Sequence, residues 1–241
     1  MKSEIELLKE IVDGSDNIVF FGGAGVSTES NIPDFRSPGG LYSQKMDMPP
    51  ERILSYSNFI ARPESYYEFH RKRMAYLNDA KPNKAHLKLA ELERAGKLKA
   101  VVTQNIDNLH QKAGSVNVIE LHGSAFRNHC MICRKSYDVD FILSGTGVPY
   151  CECGGLIKPG VVMFEESLDN DTINKAVNYI SQADVLIVGG TSLVVYPAAG
   201  FINYYRGNKL VFINKSETSY DEKADLLIND SIGEVLSRAL S

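Results

Sequence analysis

Apolar residues recur along this chain in two rhythms. Leu7, Leu8, Ile11 and Val12 follow helical spacing behind Ser3 and Glu6, which form a capping box, and Gly14 supplies a stop. Short β-branched runs then predict strands over 18–21, 99–103, 116–121, 185–188 and 210–213. Between them the pattern predicts helices over 84–94, 172–182, 197–205 and 232–240, the last capped by Ser231 with Glu234. Strands alternating with helices imply an α/β fold with a doubly wound parallel sheet. Two stretches break the alternation. Residues 37–78 carry an aromatic helical pattern (Phe59, Tyr66, Tyr67, Phe69) without a strand, and 127–158 hold every cysteine. Both read as insertions building a smaller domain, so the expected division is 1–36, 79–126 and 159–241 against 37–78 and 127–158.

Composition narrows the class. With 44% hydrophobic and 23% charged residues in 241, the chain is an ordinary globular one with room for a large core and a smaller module. No apolar run reaches the ~20 residues that span a bilayer. The start, Met1-Lys2-Ser3-Glu4, lacks the basic and apolar stretches of a signal peptide, so a cytoplasmic protein is expected. A net charge of -4 argues against nucleic acid as main ligand and suits a lysine-bearing partner, although a solvated acidic surface explains it equally well.

The cysteines add a metal. Cys130 and Cys133 form one knuckle, Cys151 and Cys153 another, with seventeen residues between the pairs. That spacing closes a tetrahedral zinc site, and disulfides are disfavoured in a cytosolic protein. Four thiolates leave no position for water, so the zinc is structural. His129 reads as a neighbour of the site. Arg127, Arg134, Lys135 and Lys158 are too few to suggest nucleic acid.

Chemistry gathers at three strand ends: Gly22 to Ser27, Thr103 to Asp107, and Gly189 to Ser192. Ligands of open parallel sheets sit beyond such ends, and these amides, hydroxyls and one carboxylate suit a nucleotide. Thr103, Asp107 and Ser192 could equally be helix or turn caps. His122 closes the 116–121 strand at the same edge, where a neutral imidazole can accept a hydroxyl proton. His86 and His110 are expected to pack within helices, and His70, beside Arg71 and Arg73, to lie on a solvated face. Gly190 to Val194 lacks the last glycine of a nucleophile elbow, which disfavours a serine hydrolase. A hydride-transferring dehydrogenase needs a second strand soon after its glycines; Pro33, eight residues past Gly25, disfavours one.

Taken together, "GAGVSTESNIPDFRS", "TQNIDNLHQKAG", "ELHGS", the cysteine pairs, "GGTSLVVYPAA" and "FINKSET" resemble the sirtuins, NAD-dependent protein lysine deacylases, most closely the bacterial members. The resemblance implies a Rossmann-like NAD domain and a smaller zinc domain. It implies that Gly23, Ala24 and Gly25 hold the pyrophosphate while Ile32, Asp34, Phe35 and Arg36 belong to a loop closing over the nicotinamide. Gln104 and Asn105 would hold the ribose, Ile106 and Asp107 the carboxamide, and Gly190, Thr191, Ser192 and Asn214 the adenosine side. His122, Asn105 and Asp107 would be catalytic, with His122 the base. Acetylated lysine would enter between Phe35, Val162 and Phe164, its peptide pairing as a strand between 160–164 and Val194, Val195 and Tyr196. The products would be nicotinamide, O-acyl-ADP-ribose and free lysine. A monomer acting on acetylated proteins, without nucleic acid or membrane, is expected. An NAD or ADP-ribose sensor with weak catalysis and a mono-ADP-ribosyltransferase are the alternatives.

Three positions depart from the family: Asn31 and Glu165 stand where glycine is usual, and Lys158 where arginine is common. Asn31 is expected to tolerate a left-handed turn. Sirtuins preferring succinyl-lysine carry Tyr-x-x-Arg beside the tunnel. The matching segment is Tyr67-Glu68-Phe69-His70, and Arg71 is rotated about 100° away. Acetyl over succinyl preference follows.

Overall fold

The computed structural model describes residues 2–43 and 48–240. In chain order it runs α1 (Glu4–Asp13), β1 (Ile18–Gly22), α2 (Pro50–Ile53), α3 (Tyr56–Ala61), α4 (Pro63–Asp79), α5 (Lys84–Arg94), β2 (Leu98–Thr103), α6 (Leu109–Ala113) and β3 (Val118–Glu120). It continues with β4 (Gly123–Cys130), β5 (Ser136–Tyr137), α7 (Val139–Ser144), β6 (Ile157–Val161), α8 (Asn170–Gln182), β7 (Val185–Gly189), β8 (Lys209–Ile213), β9 (Leu226–Ile228) and α9 (Ile232–Ala239). Six strands form one sheet in the order β3-β2-β1-β7-β8-β9, with every neighbouring pair parallel. This is the doubly wound order, whose chain reversal falls between β1 and β7. A second, antiparallel sheet, β5-β4-β6, stands apart from it.

The continuous apolar runs of β1, β7 and β8 follow from burial on both faces. Ile18, Phe20, Val185, Ile187, Val211 and Ile213 turn to a core shared with α1, α5 and α9. Val19, Phe21, Leu186, Val188, Leu210 and Phe212 turn to a core shared with α8 and the segment Ala198–Tyr204. The smaller lobe has a core of its own, where Phe59, Tyr66 and Tyr67 pack edge to face beside Ile142, Ile157 and Met163. Strands β4 and β6 run through the expected boundaries at 126/127 and 158/159. No helix among the described residues is long and apolar enough to cross a membrane.

Ser3 caps α1 with the expected box. Helix α5 spans the expected 84–94, and the strands β1, β2, β7 and β8 agree within a residue, but some elements differ from expectation. The third strand is only Val118–Glu120, because Val116 is exposed and its amide is held by Glu93. The sixth strand, β9, is a three-residue edge, too short to leave a period. The segment predicted as a helix over 197–205 is a 3-10 helix, Ala198–Tyr204. Ser231 makes no side-chain cap to α9; Glu29, far away in sequence, accepts the Gly233 N–H at 3.0 Å instead. A short-range rule cannot find such a cap.

Candidate active site

The loops after β1, β2 and β7 leave the sheet at one level, because Gly22 pairs in register with Thr103 on one side and Gly189 on the other. The crevice at the chain reversal therefore opens over these three ends. Its floor is made by contact of bare backbones. The Gly25 N–H donates to the Gly190 carbonyl at 2.7 Å, and Gly190 sits at φ 60°. A Cβ on Gly190 would come within 2.3 Å of the Val26 nitrogen, so this approach requires glycine. Two 3-10 turns, Ala24–Val26 and Thr28–Ser30, carry the chain onward, and Asn31 takes the left-handed conformation at φ 61°.

Above this floor lies a polar network centred on Ser27, which is buried. Its hydroxyl donates to Asp107 Oδ2 at 2.6 Å and accepts from Asn105 Nδ2 at 3.0 Å. Asp107 Oδ1 takes the Leu109 N–H at 3.0 Å at the start of α6. Burial pushes the Asp107 carboxyl up from its ordinary value, and the bonds from Ser27 and Leu109 partly oppose this. Thr103 Oγ1 accepts the Asn105 N–H, and Gln104 Nε2 donates to Thr191 Oγ1 at 3.1 Å. The Thr191 N–H in turn donates to Asn214 Oδ1 at 3.0 Å. Asn214 Nδ2 is buried with no protein partner among the described residues, an orphan donor that fits a polar ligand group. Ser192 is exposed. No sequence signal singled out Ser27: its importance comes from Asp107, eighty positions away.

His122 lies just past β3, with Nδ1 2.9 Å from the Gln104 carbonyl. That contact is a hydrogen bond only if Nδ1 carries the proton, which leaves the Nε2 lone pair free. Burial lowers the imidazole's pKa below its ordinary value, and the carbonyl bond partly opposes the shift. The ring is held neutral at pH 7 and aimed by the backbone of the neighbouring strand end.

The loop after Pro33 folds back on itself. Asp34 accepts the Arg36 and Ser37 N–H groups, and the Tyr42 N–H donates to the Phe35 carbonyl at 2.9 Å. Phe35 meets Tyr42 edge-on, with Arg36 over Tyr42 and Arg73 over Phe35. Ile32 and Ile106 pack together against Met74, Leu77 and Ala125.

Beside the crevice, the Val162 N–H donates to the His122 carbonyl at 2.9 Å. Phe164, Val194 and Tyr196 leave apolar side chains exposed, while Val162 and Val195 are half-buried. Lys158 is buried beneath this segment. Its ammonium bonds the Val161 carbonyl at 2.8 Å and Glu166 at 2.9 Å, so lysine suffices where arginine is usual.

The sulfurs of Cys130, Cys133, Cys151 and Cys153 all lie within 4.8 Å of one another. Cys130 and Cys153 approach to 3.5 Å, as do Cys133 and Cys151. Four thiolates at ~2.3 Å from a tetrahedral zinc would stand about 3.8 Å apart, so the cluster suits the ion. His129 is outside the cluster.

Two expectations about histidines resolve differently. His86 and His110 are packed in the core, with ring centroids 4.7 Å apart. His70 is not on a solvated face: it is buried, stacks on Tyr66 at 5.4 Å, and its pKa falls to about 3 because burial disfavours the cation. The aromatic core of the smaller lobe overrides the polarity of its sequence neighbours. Arg71 donates to the Ile142 carbonyl and lies over the Tyr67 ring, 5.5 Å from its centroid. A groove of about 460 Å³ lies at the opposite end of the sheet, between α1 and the starts of β7, β8 and β9, away from these side chains.

The model of the Sir2 family matches residues 23–197, well over half of the chain. The chain belongs to the Sir2 family. It is 59% identical over 244 residues to the NAD-dependent protein deacetylase of Clostridium perfringens (strain 13 / Type A), covering 100% of both chains. Identity to the NAD-dependent protein deacetylase of Staphylococcus aureus (strain Mu50 / ATCC 700699) is 44%, again with 100% coverage of both. Among solved structures, a Sir2 histidine-to-alanine variant with deacetylated p53 peptide and 3′-O-acetyl ADP-ribose superposes with a TM-score of 0.92 at 39% identity, covering 99% of this chain and 98% of that one. A Sir2 with p53 peptide and NAD+ superposes at 0.88 with 41% identity, covering 100% and 98%. For a Sir2 family chain, the doubly wound sheet, the separate small sheet and the cysteine cluster are all in place.

Proposed function

We propose that this Sir2 family chain is an NAD-dependent protein lysine deacetylase, with structural zinc, whose reaction centre is His122, Asn105 and Asp107. The observation carrying this reading is a neutral, backbone-aimed His122 and the Ser27–Asp107–Asn105 network at the same C-terminal edge of the sheet. Full-length relatives bearing that name support it. When bound, NAD supplies an ADP-ribosyl carbon that takes the acyl oxygen as nicotinamide leaves. Gly23, Ala24 and Gly25 offer backbone to the pyrophosphate, with Ile32, Asp34, Phe35 and Arg36 closing the nicotinamide end. Gln104 and Asn105 orient the ribose. Ile106 and Asp107 would hold the carboxamide. Gly190, Thr191, Ser192 and Asn214 hold the adenosine side, where the orphan Asn214 Nδ2 needs an acceptor. His122 accepts a ribose hydroxyl proton at Nε2. Phe35, Val162 and Phe164 exclude water around the acetyl-lysine, and Val194, Val195 and Tyr196 pair its peptide. The products are nicotinamide, O-acetyl-ADP-ribose and free lysine.

The reading keeps the division of the chain at 1–36, 79–126 and 159–241 against 37–78 and 127–158. It takes the protein as a cytoplasmic monomer acting on protein lysines, with which the net charge of -4 is compatible. The deciding experiment mixes the purified chain, NAD and an acetylated peptide and identifies products by mass spectrometry. Nicotinamide with O-acetyl-ADP-ribose supports the reading. ADP-ribosylated protein would favour the transferase alternative, and NAD binding without turnover the sensor; either overturns it.

A further inference from the structure

Glu165 occupies a position that resists it. Its φ is 75°, in the left-handed region that favours glycine. Something must hold a side chain there, and its carboxylate shows what. Oε2 accepts the Ser57 N–H at 2.9 Å and Oε1 accepts the Ser57 hydroxyl at 2.9 Å. These bonds hold the carboxyl below the usual carboxylate range. Ser57 lies in the first turn of α3.

The strap closes a second connection. The Tyr56 N–H donates to the Phe164 carbonyl at 3.0 Å, and the Phe164 N–H to the Leu54 carbonyl at 3.2 Å. Ser55 and Phe164 thus form a parallel bridge between the 37–78 insertion and the segment after β6. On the other side of the turn, Glu166 ties the Met163 N–H and the Lys158 ammonium. The backbone of 163–165 is therefore gripped from two directions, while the Phe164 ring stays 39% exposed.

We propose that Glu165 is a positioning residue for the peptide substrate, strapping Phe164 and its strand edge to α3 through Ser57. The proposal rests on the deacetylase reading for its kinetic consequence but not for its geometry. In a Glu165→Gly variant the backbone conformation stays accessible while the strap is lost, so the fold should survive.

Two measurements on the full chain test it. Hydrogen exchange should show lost protection at the Tyr56 and Phe164 amides in Glu165→Gly but not in Glu165→Gln, whose amide can still pair with Ser57. With an acetylated peptide, KM for the peptide should rise about two- to fivefold in Glu165→Gly, the range of an exposed charged pair, with kcat and the KM for NAD unchanged. A general loosening would instead move both KM values and kcat together, and that pattern overturns the proposal. So does unchanged exchange at both amides, or an unchanged peptide KM. If wild type turns over no acetylated peptide, the deacetylase reading fails and the exchange result alone decides the strap.

Discussion

Ser27→Ala removes one oxygen from the centre of the site, and the structure states what is left behind. Ser27 is 1% exposed and Asp107 4%, so water has little access to replace the hydroxyl. Asp107 Oδ2 loses a 2.6 Å charge-assisted donor, and Asn105 Nδ2 loses its acceptor. A hydrogen bond to a charged group contributes about 1.5 to 3 kcal/mol and a neutral one about 1. The two share one atom and will not add fully, which places the loss at about 2 to 3 kcal/mol. For a chain of this size each kcal/mol lowers Tm by about 2 to 4 °C, so a fall of roughly 4 to 12 °C is expected. The pH dependence carries a second signature. Asp107 already has a raised pKa in the folded state, because burial outweighs the Ser27 and Leu109 bonds. Between its unfolded value of about 3.9 and the raised folded value, the native state holds the extra proton, so this group's contribution to stability falls as pH rises. Removing the Ser27 donor raises the folded value further and widens that window upward. The Tm deficit of Ser27→Ala relative to wild type should therefore be largest near pH 7 and shrink as the pH is lowered toward 4. Differential scanning calorimetry over that range reads it directly. A variant melting within about 1 °C of wild type at pH 7, or a deficit that grows in acid, would refute the argument.

His122→Ala should lose about 10² to 10⁴ of the deacetylation rate while still binding NAD, measured by single-turnover kinetics and calorimetric titration. Because burial lowers the His122 pKa, wild-type kcat/KM should stay flat above about pH 6.5 and fall only at lower pH; an inflection above that value would place the base elsewhere. Chelating the zinc should unfold the cysteine knuckles and lower activity and Tm together, since structural zinc contributes on the order of 10 kcal/mol in small modules, and retained activity in a metal-free folded chain would contradict a structural role. Acetyl peptides should exceed succinyl peptides in kcat/KM, because His70 is neutral and stacked and Arg71 is engaged by the Ile142 carbonyl and the Tyr67 ring; a succinyl preference would instead implicate Arg71 or Arg73, whose guanidinium lies 5.5 Å from the Phe35 ring.

Local chemistry made much of this protein readable from its residues in order. Apolar runs long enough to be buried on both faces announced the parallel sheet, and the two cysteine knuckles announced zinc, because both depend on residues close in sequence. The loaded strand ends were legible for the same reason: in a parallel sheet every strand delivers the loop after it to one edge. Asn31 shows the same logic at one position, since its tolerance of a left-handed turn belongs to the side chain itself. What the order of residues did not contain was partnership at a distance. Ser27 matters because folding brings it to Asp107, and Glu29 caps α9 because the glycine loop passes over Gly233. His70 sits in a run of charge that reads as surface, and is buried because Tyr66 and the core of the smaller lobe surround it. Glu165 looks like a misplaced residue until Ser57, 108 positions away, arrives to hold it. Periodicity reports only which face of its own element a residue occupies. Which other element meets that face is decided by packing and hydrogen-bond satisfaction across the whole chain.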